Sequence, residues 1–191
     1  MARLPYVELE SAPDAVRQTL ERLPIQLNIF RMMAHAETCF RPLLRLGTAI
    51  LSEQQLDPRL RELAILRIAQ LSGARYEWVQ HEPIAKGVGA SDAQVAALAR
   101  GAIDDASFSA VDRLVLRFTT EVVSTVKASD PTFAEMQRHF SPREIVELLL
   151  AIGFYMTIAR LAETTATDVD MPAGMTVVDS LRREAAGTRD R

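Results

Sequence analysis

Between Leu60 and Leu71 the chain places apolar residues at Leu60, Leu63, Ala64, Ile65, Leu66, Ile68, Ala69 and Leu71. On a helix these positions cover nearly the whole circumference, the pattern of a rod buried on every side. A second apolar run, Ile145 to Ala159, is interrupted only by Glu147. Its uncharged part from Leu148 would rise about 18 Å as a helix, against a hydrocarbon core of about 30 Å. A buried helix or a subunit interface is therefore expected there, and no membrane span. Elsewhere Gly is scarce, Ala, Leu, Arg and Glu dominate, and alternating β-branched runs are nearly absent, so the residue propensities favour helix almost throughout. The punctuation agrees: Asp57-Pro58, Asp130-Pro131 and Ser141-Pro142 each set a capping side chain before a proline at the first helical position, and Ser91 with Gln94 has capping-box spacing. Helices are predicted at 13–23, 27–38, 40–52, 58–71, 75–87, 92–100, 109–127, 131–139 and 142–166, an all-α bundle of about eight or nine helices.

Residues 1–171 are read as one all-α domain, because 191 residues sit just above the usual single-domain size. After Pro172 the chain turns polar, so 172–191 is expected to be a tail, partly disordered or packing on a neighbouring subunit. A weak internal echo joins Asp57-Pro58-Arg59 leading to Glu62-Leu63 with Ser141-Pro142-Arg143 leading to Glu147-Leu148. With 22 basic and 25 acidic residues, net −3, the chain has no broad attraction for a phosphate backbone, which disfavours nucleic acid as a partner. The single cysteine, Cys39, cannot form an internal disulfide. With no apolar leader in MARLPYVELE, a reducing cytoplasm is expected.

Candidate chemistry concentrates in one segment. Ser72-Gly73 can end the first buried helix and start a tight return, so that Glu62 and His81 come to nearly the same level of a helical hairpin. Glu77 lies one turn before His81, on the same face. A carboxylate on a helix buried all round must find a partner or be pushed toward its neutral form, and either outcome suits acid–base work. The bland alternatives are an ion pair of Glu62 with Arg59, Arg61 or Arg67, and a core histidine hydrogen-bonded to Glu77. Tyr76, Trp78 and Tyr155 offer large apolar faces with polar handles, suited to lining a small organic pocket, although such residues also fill cores. Pro83 is expected to kink the helix just past His81 and open a cleft there. No metal is expected, since Glu62, Glu77 and His81 do not reproduce a ligand spacing such as H-E-x-x-H. Glycine-rich phosphate loops, G-x-S-x-G and C-x-x-C are likewise missing from the sequence.

The stretches R-E-L-A-I-L-R-I-A, Y-E-W-V-Q-H-E-P-I-A and G-V-G, followed by E-L-L-L-A-I-G-F-Y-M-T-I-A-R-L, resemble the carboxymuconolactone decarboxylase family, whose superfamily includes alkylhydroperoxidase D. The likeness runs from about residue 35 to 170. It implies an alkylhydroperoxidase D-like all-α fold and a homo-oligomer, often a trimer or hexamer. It also implies a proton relay in which Glu62 and His81 take the family's catalytic places, with no cofactor. Two cysteines of the peroxidase branch would fall at Ala74 and Glu77, so thiol peroxidase activity is not expected. The implied function is a decarboxylase-like lyase of aromatic compound catabolism. It would act on a small cyclic or aromatic-derived carboxylic acid or lactone, with His81 as proton donor, Glu62 orienting it and Glu77 tuning it or touching substrate. Arg75, Arg160 and Arg67 are the expected carboxylate clamps. The alternative is a non-catalytic oligomeric protein of the same fold that binds a small molecule.

Overall fold

A computed structural model describes residues 1–180; the expectations for 181–191 lie outside the described residues. The elements are a short 3-10 turn at Leu9–Ser11 and the helices α1 (Asp14–Arg22), α2 (Asn28–Met33), α3 (Glu37–Ser52), α4 (Pro58–Ser72), α5 (Arg75–Gly87), α6 (Asp92–Ala99), α7 (Ala110–Thr125), α8 (Asp130–His139) and α9 (Pro142–Thr165), with 175–180 again helical. No strand occurs among the described residues, and the all-α reading holds.

The predicted stops and starts act as their chemistry demands. Asp57 accepts a hydrogen bond from the Leu60 amide at 3.0 Å, with Pro58 in the first helical position of α4. Gly73 closes α4 in the left-handed region at φ 62°, and the Ala74 amide reaches back to the Ala69 carbonyl at 2.8 Å, so α5 can begin at once in the return direction. Capping boxes open α6 at Ser91, α7 at Ser109 and α9 at Ser141. Two boundaries differ from the sequence reading. Ser129 caps α8 in place of Asp130, because its amide is held by Glu121 at 2.6 Å and its hydroxyl faces the Thr132 amide. The break between α2 and α3 falls at 34–36 rather than after residue 38, and Pro42 sits inside α3.

Helix α4 is the axis of the molecule. Every residue from Leu60 to Ala69 is buried, and α5, α6, α7 and α9 pack around it. The main core joins α4, α6, α7 and α9 through Leu63, Leu66, Leu98, Leu114, Phe118, Leu148 and Ile152. A second core, of Val16, Leu20, Leu27, Ile29, Met33, Phe40 and Tyr76, binds the N-terminal helices α1 and α2 to α3 and α5. At 24 residues α9 is long and apolar enough to cross a membrane by length and composition. One side of it is nevertheless core, through Ile145, Leu148, Ala151, Ile152 and Tyr155, and Glu147 near its start accepts the Gln55 and Leu56 amides at 2.8 Å each. That makes α9 a packed helix of the bundle. The first part of the expected tail, around Ala173 and Val178, also packs into this chain.

Candidate active site

The hairpin of α4 and α5 brings the two expected residues into contact. His81 Nδ1 lies 2.8 Å from Glu62 Oε2, in a bond that spans the two helices. The other carboxylate oxygen, Oε1, accepts from Arg61 Nε at 3.1 Å, and Arg61 in turn donates through Nη1 to the Ile50 carbonyl at 3.2 Å. Glu62 has 0 % and Arg61 2 % of its surface exposed. The two bland alternatives are thus resolved in one arrangement. Glu62 does form an ion pair, with Arg61, but its second oxygen is committed to His81, and the histidine bonds to Glu62 rather than to Glu77. With a carboxylate on Nδ1, the tautomer is set and Nε2 is the ring nitrogen left to meet a ligand. The imidazole packs edge-on against the Tyr155 ring at 4.7 Å between centroids.

His81 lines a cavity of ≈ 1390 Å³, together with Glu77, Tyr76, Gln80, Ile84 and Tyr155 from the bundle side. The N-terminal helices and α3 supply the opposite wall, including Ile29, Phe30, Met33 and Phe40. Glu62 and Arg61 stand behind the imidazole and do not line this space. Glu77 is 1 % exposed, and neither of its carboxyl oxygens has a hydrogen-bond partner among the described residues. Burial pushes its pKa well above the usual carboxylate value, and the negative charges of Glu62 and Glu163 push the same way. Burial likewise raises the Tyr155 hydroxyl, so that side chain is a neutral phenol.

The other expected site residues divide. Tyr76 reaches the cavity, and its hydroxyl is bound, donating to Asp170 at 2.6 Å and accepting from the Ile29 amide at 3.4 Å. Trp78 and Arg75 line a separate shallow depression of ≈ 340 Å³ beside Gly73, and the Trp78 indole donates to Glu82 at 3.1 Å. Arg160 is exposed and donates to the Met156 carbonyl at 2.9 Å. Arg67 is held by Thr120 and Gln70. The structure does not bring Trp78, Arg75, Arg160 or Arg67 to the cavity of His81, because α5, α9 and, for Arg67, α4 turn those positions away from it. The arginines that do line it are Arg22, Arg41 and Arg45, all exposed. Arg41 and Arg45 are one turn apart on α3, and that i,i+4 basic pair is the one signal by which the sequence could have pointed to them.

The model of the carboxymuconolactone decarboxylase family matches residues 38–121, from the start of α3 to near the end of α7. No curated protein matches the sequence. Among solved structures, the alkylhydroperoxidase AhpD core, an uncharacterized peroxidase-related protein from Ralstonia eutropha, is 19 % identical over 95 % of this chain and 94 % of its own, with a TM-score of 0.76. An uncharacterized peroxidase-related protein from Silicibacter sp. is 16 % identical over 91 % and 95 % of the two chains, also with a TM-score of 0.76. A protein of unknown function from Agrobacterium tumefaciens is 23 % identical over 72 % and 94 %, with a TM-score of 0.64. At these identities the likeness is one of fold, and the fold is alkylhydroperoxidase D-like. The matched stretch, residues 38–121, contains the whole Glu62–His81 hairpin, and it is this part of the chain that is similar to the carboxymuconolactone decarboxylase family.

Proposed function

We propose that this protein is a cofactor-independent enzyme that transfers protons on a small cyclic or aromatic-derived carboxylic acid or lactone, in the manner of a decarboxylase-like lyase. The observation that carries this reading is the 2.8 Å contact of Glu62 with the far nitrogen of an imidazole that faces a cavity. A base oriented by a buried carboxylate is the arrangement that general acid–base catalysis requires. His81 Nε2 gives or takes the proton, and Glu62, charge-compensated by Arg61, holds the ring and stabilises it when it is doubly protonated. A substrate carboxylate is met at the cavity wall by Arg41, Arg45 and Arg22, guanidinium groups suited to planar anions.

Two of the similar structures are called peroxidase-related, but the thiol route needs a nucleophile and a resolving partner. Here Ala74 and Glu77 occupy the hairpin, and the single cysteine, Cys39, is exposed and does not line the cavity. Peroxide turnover that vanishes in Cys39→Ser would overturn this. Self-association is part of the same proposal: Val146, Leu149 and Leu150 present an apolar strip on the outer side of α9, 53 %, 37 % and 51 % exposed. Light scattering is expected to give an assembly larger than one 21.2 kDa chain, and a monomer at all concentrations would remove that part.

The test of the catalytic reading is His81→Gln assayed by NMR for proton exchange and CO2 release on a set of small lactones and cyclic acids. The substitution is expected to lower turnover by roughly 10²- to 10⁴-fold with the helical spectrum unchanged. Unaltered turnover would take His81 out of the mechanism. Turnover on no compound, with saturable binding of one of them, would favour the non-catalytic binding protein.

A further inference from the structure

The proton-transfer reading uses His81 and Glu62 and leaves Glu77 without a task, although Glu77 is the oddest side chain in the cavity. It is a carboxyl group almost wholly removed from water, on the cavity wall, one helical turn from the imidazole, with no hydrogen bond to either oxygen. A buried polar group left unsatisfied costs about 1–3 kcal/mol, more if charged, and such groups are rare outside functional sites. The charged and titratable groups around it are Glu62 on α4, Glu163 and Tyr155 on α9, and His81 on its own helix. Among the described residues no cation offsets a second negative charge there beside Glu62.

Resting on that reading, we propose that Glu77 is an uncharged carboxylic acid that donates its proton to the carbonyl oxygen of the substrate while His81 works at the adjacent carbon. The site therefore selects compounds whose reacting carbon sits next to a ketone or lactone carbonyl. In the step itself, His81 Nε2 takes the proton from that carbon and the C–H electron pair becomes the enol double bond. The carbonyl π pair closes onto oxygen, which takes the Glu77 proton. Collapse of the enol returns that proton to Glu77, and the imidazolium gives its own to the same or the conjugated carbon. Where the carbon carries a carboxylate instead, the C–C bond supplies the electron pair, CO2 leaves, and His81 enters protonated and delivers its proton to carbon. A carboxylic acid kept neutral by its surroundings beside a base is one way a single site supplies both a proton donor and a proton acceptor.

Two measurements on the full chain test this. Infrared difference spectra of the unmodified protein against Glu77→Gln at neutral pH are expected to show the carbonyl stretch of a protonated carboxylic acid, unchanged in Glu163→Gln. Absence of that band overturns the proposal, whatever the activity. Deuterium exchange at the ring carbon next to the carbonyl of γ-butyrolactone, followed by NMR in heavy water, is expected to be accelerated by the protein and slowed about 10²-fold in both Glu77→Gln and Glu77→Met. Since the Met variant removes an orphaned polar group at similar volume, folding is secured in at least that case. Exchange at the unmodified rate in both variants overturns the donor role. No acceleration by the unmodified protein overturns the proton-transfer reading, and the donor role with it, while the infrared band still reports the state of the carboxyl.

Discussion

Arg61 and Glu62 are adjacent in sequence, both buried, and bonded to each other, so each neutralises a charge that the core could not otherwise hold. Breaking a buried pair from one side costs about 3–5 kcal/mol, because the remaining charge is stranded. Arg61→Met is therefore expected to destabilise the fold by about that amount in urea titrations, and far more than Arg160→Met at the surface. Glu77 acts with the opposite sign. Its pKa is raised on folding from the ordinary 4.5, so the folded chain holds a proton that the unfolded chain releases. Stability is then fully present below pH 4.5 as far as this group is concerned and is lost progressively as pH climbs toward the folded value. Melting temperatures of the unmodified protein are expected to fall, relative to Glu77→Met, as pH rises through that window; parallel curves would contradict the shift.

At the scale of the elements, what could be read from the sequence is what depends on near neighbours. Gly73 gave the hairpin, because a left-handed residue lets α4 stop and α5 start with only two residues, Gly73 and Ala74, between them. The Glu62–His81 contact followed from counting residues along two antiparallel rods. Arg75 and Arg160 could not be placed in that way, because which face of α5 or α9 meets the cavity is decided by packing against α1, α2 and α3, distant in sequence. Asp112 shows the same limit: besides closing the Ser109 capping box it accepts from Arg59 at 2.7 Å and Gln94 at 3.2 Å, tying α7 to α4 and α6. Asp112→Ala is expected to cost about 2 kcal/mol by denaturant unfolding, since it removes a cap and a partly exposed ion pair together. A cost near zero would mean that Arg59 finds water without penalty. Gly47 is a third case. A β-carbon there would come within 2.9 Å of the Phe154 ring, which lines the cavity, so Gly47→Ala should shift that ring and weaken ligand binding more than folding.

Taken whole, the molecule is a bundle built on α4 with a smaller N-terminal layer laid across one side, and the cavity lies where the two meet. The wall that carries His81 also holds the buried Glu77, while its opposite wall carries Arg22, Arg41 and Arg45 in contact with solvent. Arg41→Glu with Arg45→Glu is expected to raise KM for a carboxylate substrate about tenfold at low salt with little change in kcat. The difference should shrink near 1 M salt, where the screening length is about 3 Å. An equal effect on an uncharged lactone would show that the arginines act through shape.

The two ends of the described chain meet over this cavity. Asp170 Oδ2 accepts from the Asn28 amide at 2.8 Å and from the Tyr76 hydroxyl at 2.6 Å, while Gln80 grips the Asp170 carbonyl and the Ala173 amide. One aspartate oxygen thus clasps roof to floor. Unfastening it, by Asp170→Ala, should let α2 swing free and quicken amide exchange across 28–33 before the bundle itself loosens. Admission of a guest would then be governed by a knot tied more than a hundred residues downstream in sequence from the door it keeps shut.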